Sequence, residues 1–139
     1  MCNDYLKQTT DERLNDRGVD DALRANIQYY RSETRFLRAL MYYHAMDMFG
    51  NTPFITENDP IGTYLPPQRS RAELYSFIES ELLELSDDPH MTEPRQNEYG
   101  RADKAAVWML LSRLYLNAEV YIQTPCLLYT SPSPRDVEE

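Results

Sequence analysis

The stretch ETRFLRALMYYHAMDMFGNTPFITE, from Glu33 to Glu57, limits what this chain can become more than any other. Up to Gly50, apolar residues recur at spacings of three and four and cover more than one side of a helix. After it, Asn51, Thr52 and Pro53 force the backbone to turn. A helix that is apolar on two sides needs neighbours on both, so the rest of the chain must supply helices long enough to cover it.

The helix is predicted to open at Val19-Asp20-Asp21, with acidic residues in the first turn where the helix dipole favours them. Leu23, Ile27, Tyr30, Thr34, Leu37, Met41, His44 and Met48 form one continuous stripe, and Phe36, Leu40 and Tyr43 a second one confined to the later half. The first half is therefore expected to be half exposed and the second half sandwiched, in a rod of roughly 45 Å. Ahead of it, Cys2 to Arg17 reads as one thin amphipathic helix ending at Gly18.

Downstream, Pro53, Pro60, Pro66 and Pro67 mark a structured loop in which Phe54-Ile55-Thr56 is extended and Tyr64 and Leu65 are the expected anchors. Ser70-Arg71-Ala72-Glu73 spells a capping box. It opens a helix with Leu74, Phe77, Ile78, Leu82 and Leu85 inward and Glu79, Glu81 and Glu84 toward solvent. His90 to Arg101 reads as a polar connector. Asp103 then caps a last helix from Lys104 to about Tyr121, with Val107, Leu110, Leu111, Leu114 and Ala118 joined by Trp108 and Tyr115. Trp108-x2-Leu111-Ser112-x2-Tyr115 fits the start of a tetratricopeptide helix, and Phe36-x2-Ala39-Leu40-x2-Tyr43 is a looser copy.

Composition narrows the function. Only 4 glycines in 139 residues leave few hairpin turns, which argues for an all-α fold. A net charge of −9 argues against nucleic acid as partner, since phosphate binding draws on clustered Lys and Arg. No stretch approaches the roughly 18 apolar residues of a membrane span. Cys2 and Cys126 stand far apart with no partner motif, so no disulfide framework is expected. His44 lies on the main apolar stripe and reads as a hydrogen-bonded core histidine, while His90 sits in a polar loop. Neither has ligands at metal spacing. No phosphate loop, nucleophile elbow or HExxH is present, and the glutamates of one solvated helix face do not make a glycosidase pair. The reading is thus of no catalytic residue, no metal and no cofactor. Of the many aromatic rings, Tyr30, Tyr43, Tyr75, Trp108 and Tyr115 sit at helical spacing and read as core. Tyr64 and Tyr99, in loops, remain the candidate ligand contacts.

Three blocks, in this order and spacing, resemble the SusD/RagB family of nutrient-binding outer-membrane lipoproteins. They are Arg35 to Tyr43 running through Phe49-Gly50 and Pro53 to Thr56-Glu57; Pro67 to Tyr75 with Phe77-Ile78; and Tyr99 to Ala102 with Lys104-Ala105-Ala106 and Leu111 to Ala118. The resemblance covers about Cys2 to Thr124. It implies a tetratricopeptide-like helical scaffold, incomplete here, in a surface-exposed outer-membrane lipoprotein that is not an enzyme. Such proteins cap a TonB-dependent, SusC-like transporter and hand it glycans or, in some members, peptides. The signal peptide and lipidated cysteine are expected upstream of this stretch, and the irregular carboxy-terminal region downstream. The family's ligand contacts lie largely in those regions, so none is carried onto this chain. The helical part corresponds to the scaffold and its transporter-facing side.

The chain accordingly divides into a helical region, 1–124, and a tail, 125–139, without periodicity. Cys126 to Asp136, CLLYTSPSPRD, resembles a translated sequencing-adaptor read, so the tail from about Pro125 is expected to be non-native. An intracellular tetratricopeptide-type adaptor binding a protein segment in its groove is the alternative to the surface lipoprotein.

Overall fold

The computed structural model of this chain describes residues 1–60, 62 and 64–122. The boundary expected near residue 124 and the tail 125–139, Cys126 included, lie outside the described residues. Six helices and one very short ribbon follow in order: α1 Cys2–Gln8, α2 Asp11–Asp16, α3 Asp21–Phe49, β1 Thr52–Pro53, β2 Gln68–Arg69, α4 Arg71–Asp87, α5 Lys104–Leu116 and α6 Ala118–Ile122.

α3 is the long helix that the apolar spacing predicts. The Asp20 carboxylate accepts from the backbone N–H of Leu23 at 2.7 Å, closing the first turn. The helix stops where Gly50 takes φ 74°, a conformation that disfavours any residue with a side chain, and a Cβ there would sit 3.1 Å from Nη2 of Arg71. The core runs along Phe36, Ala39, Tyr43 and Met46, with Ser32 and Arg38 also buried. The expected main stripe is the open one: Leu23, Tyr30, Leu37, Met41, His44 and Met48 are exposed, and only Ile27 and Thr34 are half-buried. His44 is therefore a surface residue and not the core histidine its stripe suggested. The cause lies in the partners, because α4, α5 and α6 all approach from the Phe36 side.

α4 begins as its capping box requires. The Ser70 backbone N–H donates to Glu73 at 2.9 Å, and the Ser70 hydroxyl accepts from the Glu73 backbone N–H at 3.3 Å. Leu74, Ile78, Leu82 and Leu85 are buried with Tyr75, and α5 meets them with Val107, Leu110, Leu111 and Leu114. Asp103 caps α5 through the Ala106 N–H at 3.2 Å. The connector is less polar in effect than in composition, since Met91 is 1% exposed within the core. Its register is set by Glu33 on α3, which accepts from Arg101 at 2.6 Å and from Asn97 at 3.0 Å.

Several expectations are corrected. The helix across Cys2 to Arg17 is broken into α1 and α2, because Thr9 turns its hydroxyl back to the Tyr5 carbonyl at 2.8 Å and accepts from Arg31 at 2.8 Å. Leu6 and Leu14, one from each piece, are both buried. The last helix is interrupted at Asn117, whose side chain bonds back to the Arg113 carbonyl at 2.9 Å; α6 then delivers Tyr121 inward to donate to Asp47 at 2.8 Å. Tyr43 and Tyr75 are core, as expected, but Tyr30, Trp108 and Tyr115 are not. The better tetratricopeptide copy thus shows its aromatic pair to solvent, while the looser copy on α3 is the packed one.

In the proline-rich loop, Thr52 pairs with Arg69 and Pro53 with Gln68, antiparallel, which pins both ends together. Its anchors are Phe54 and Ile55 rather than Tyr64 and Leu65. The Phe54 ring lies 5.0 Å from Tyr42 and 4.7 Å from Phe77, and the Tyr42 hydroxyl donates to the Ile55 carbonyl at 2.7 Å. Leu65 is 90% exposed.

The open stripe of α3, with Met109, Leu116 and Val120 also exposed, leaves apolar surface worth roughly 25 cal/mol per Å² uncovered. Residues 1–124 expressed alone are expected to give an aggregating or loosely packed species in size-exclusion chromatography and thermal melts. A sharp, reversible thermal transition contradicts this.

Candidate functional site

Arg35 and Arg38 stand one helical turn apart on α3, facing α4. Arg38 is buried, and its guanidinium donates to Glu81 on α4 at 2.8 Å, to Asn3 on α1 at 3.1 Å and to Glu57 in the proline-rich loop. It also lies 5.5 Å from the centre of the Phe77 ring. Arg35 adds bonds to Glu81 at 3.0 Å and to Glu84 at 2.5 Å. Glu81, expected on the solvent side, is therefore nearly enclosed, with a side chain 12% exposed. Sequence reasoning overlooked this joint. Its available signal was a pair of arginines at a spacing of three on a helix face otherwise crowded with apolar residues.

Burial pushes the Glu81 carboxyl up, but the hydrogen bonds and charges of Arg35 and Arg38 outweigh it, and the net shift is downward. Glu81 is a fixed anion with no proton to donate near neutrality. Glu84 is held by Arg35, and Glu79 bonds to Tyr115, whose hydroxyl is pushed up to about 12 by burial first and that carboxylate second. These three carboxylates are structural partners and do not face one another across an open cleft.

The space in front of the joint is a cleft of about 360 Å³ between α1 and the loop. Tyr64 lines it, opposite Asn3 and Lys7, with Glu57, Asp59 and Pro66 alongside. The floor is stiff. Asn3 donates to the Ile55 carbonyl at 2.9 Å, and Asp59 accepts from the backbone N–H and hydroxyl of Thr56 at 2.7 and 3.1 Å. Lys7 donates to the Asp59 carbonyl at 3.5 Å and lines the same cleft. A half-exposed ring beside an ammonium group and carboxylates can hold a polyhydroxylated ligand by its CH face and its hydroxyls.

Tyr99, the other aromatic singled out from the sequence, is fully exposed at the turn before Gly100 and lines none of the cleft, so the structure does not bring the two together. His90 lies at the surface, with Nδ1 3.2 Å from Asp88. Among the described residues no group of three or more His, Cys, Asp or Glu is placed to hold a metal ion, and no helix is long and apolar enough to cross a membrane.

No family model matches this chain. It is 50% identical over 91 residues to the starch-binding protein SusD of Bacteroides thetaiotaomicron, a match that takes in 66% of this chain and 16% of SusD. Among solved structures it superposes on surface glycan-binding protein A from Bacteroides uniformis with a TM-score of 0.65 and 28% identity, over 88% of this chain and 26% of that one. A SusD-like protein from Bacteroides fragilis gives a TM-score of 0.63 over 87% of this chain and 22% of its own, and at 24% identity speaks to the fold alone. The chain therefore spans about a sixth of SusD and about a quarter of the two solved relatives.

Removing the Glu81 carboxylate strands two arginines. Glu81→Ala in the full-length protein is expected to cost about 3–5 kcal/mol in urea unfolding. Because the folded carboxyl titrates below its ordinary value of about 4.3, its contribution is complete above that pH and is lost as pH falls through the lowered folded value. Wild type should thus lose stability in acid more steeply than Glu81→Gln; equal acid profiles contradict the assignment.

Proposed function

We propose that this chain, a SusD homologue across 91 of its residues, is the helical scaffold stretch of a longer glycan-binding protein at the cell surface. The observation that carries the reading is the combination of 50% identity to a starch-binding protein with a backbone that follows a surface glycan-binding protein along nearly its whole length. Its role is to bind and hold, with no chemistry on the ligand: the buried carboxylates are spent on arginines, and the cleft presents donors, acceptors and one ring. In the whole protein the partner is a TonB-dependent, SusC-like outer-membrane transporter, to which the captured oligosaccharide is passed. The reading further places the protein on the outer membrane as a lipoprotein, anchored through sequence upstream of this stretch. The adaptor alternative draws on the helix pattern but on neither of these relatives.

Within the stretch, Tyr64 is the proposed ligand contact. Its ring borders the cleft that also carries Asn3 and Lys7, whereas Tyr99 lies outside that cleft. The full-length protein is expected to be retarded in native gels containing starch, and to co-purify with an outer-membrane transporter from detergent extracts. Tyr64→Ala should weaken retention about threefold to tenfold, the value of one aromatic contact of about 1 kcal/mol. A folded full-length protein that binds no glycan contradicts the proposal.

A further inference from the structure

Two tyrosine rings near the start of α3 are held more firmly than solvent-facing side chains require. Tyr29 and Tyr30 are 39% and 42% exposed. Buried Ser32 donates to Asp88 at 2.6 Å, Nδ1 of His90 lies 3.2 Å from the same carboxylate, and the His90 ring meets Tyr29 edge to face at 5.6 Å. The next residue on α3 anchors the second ring. Glu33 accepts from Arg101 at 2.6 and 3.2 Å, and the Arg101 guanidinium lies 4.9 Å from the centre of the Tyr30 ring.

Adjacent residues on a helix diverge by about 100°, so the two rings form a corner rather than a stack. The connector closes that corner. Both rings line a pocket of about 150 Å³ with Asn26 of α3 and with Gln96, Asn97 and Arg101. Glu33 and the Ala102 carbonyl fix the Asn97 amide at 3.0 and 2.8 Å, so this wall is preformed. Immediately before Gln96, Arg95 takes φ 65°, a left-handed conformation that residues with side chains rarely adopt, and its backbone N–H donates to Asp103 at 3.0 Å.

We infer that this pocket is a second saccharide site, which takes one uncharged pyranose unit. Its walls carry three side-chain amides, two rings and a guanidinium whose charge Glu33 already offsets. A phosphate or carboxylate meets no uncompensated cation there, and no Asp or Glu is among the described lining residues to attract a cation. Amides offer donors and acceptors together, which matches sugar hydroxyls, and a tyrosine ring takes the CH face. The volume is below the roughly 300 Å³ at which pockets for drug-sized ligands begin, which limits the occupant to about one ring. The site is separate from the Tyr64 cleft. Arg31 turns to α1, donating to the Leu6 carbonyl at 2.8 Å, whereas Glu33, about 200° further round α3, turns to the connector. The ligand class rests on the proposal that the full-length protein binds glycans. The addition is a second contact that a long or branched glycan engages alongside the first, raising avidity without tight binding at either.

Hydroxyl-radical footprinting of the full-length protein, with maltotriose, galactose and mannose as separate probes, reads the site directly. Tyr29 and Tyr30 fall in one tryptic peptide, Ala25 to Arg31, and Tyr64 falls in another. At least one of the three sugars is expected to lower the reactivity of Ala25 to Arg31 about threefold at saturation, half-maximally at about 1 mM, in wild type and in Tyr64→Ala alike. Asn26→Ala, at an exposed helix position, should raise that half-point about threefold to tenfold and leave the thermal midpoint in place. Unchanged reactivity with all three sugars overturns the inference. So does a peptide already unreactive in the sugar-free protein, which shows the pocket filled by the rest of the chain, or protection that Tyr64→Ala abolishes, which shows a single site. Starch retention on the same preparation separates the two claims. Retention without protection of Ala25 to Arg31 defeats this inference alone; neither retention nor protection defeats the functional reading and this site with it.

Discussion

The structure depends on one buried guanidinium. Arg38 leaves α3 where apolar neighbours surround it and meets a carboxylate from α4, an amide from α1 and a carboxylate from the proline-rich loop. Enclosing such a charge costs several kcal/mol unless its hydrogen bonds are met, so geometries that separate these elements are penalised. That makes the joint a device of register more than of net stability. α4 can slide along α3 through many apolar contacts of similar value, but only one position brings Glu81 to both Arg35 and Arg38.

From that joint the functional surface follows. Glu57 is drawn inward, and Phe54 fills the space against Tyr42 and Phe77. Asp59, Pro60 and Pro66 of the loop then line the cleft beside α1, together with Tyr64. Glu33 does the corresponding work at the other end of α3 by holding Arg101 and Asn97, while Arg101 lies 4.9 Å from the centre of the Tyr30 ring. A stiff three-helix layer results, with a displayed loop on one side and an open apolar stripe on another.

Local chemistry was legible in the sequence and long-range choice was not. Gly50, Ser70 with Glu73, and Asp103 announce helix ends through groups that act within a turn or two, and each acts as its pattern says. The inward face of α4 was equally plain, since it carries one dominant apolar stripe. α3 and α5 are apolar on more than one side, and periodicity cannot tell which side the partners will choose. The misplacement of His44, Trp108 and Tyr115 follows from that ambiguity, because an apolar face awaiting a partner has the same spacing as one already covered. Glu81 was misjudged for a related reason: a charge reads as solvated unless its counter-charges are known, and Arg35 and Arg38 are distant in sequence. At the candidate site, Tyr64 could be named because it is an aromatic in a loop. Asn3 and Lys7 could not, since only the docking of α1 on α3 brings them there.

A double-mutant cycle of Arg38→Met and Glu81→Leu in the full-length protein, read by urea unfolding and by starch binding together, tests the central claim most directly. The account predicts a coupling energy above about 3 kcal/mol in stability, with the paired replacement far milder than either single one, and unchanged affinity among the molecules that remain folded. Additive effects on stability, or affinity lost while stability is kept, would show that Arg38 and Glu81 do not organise this scaffold.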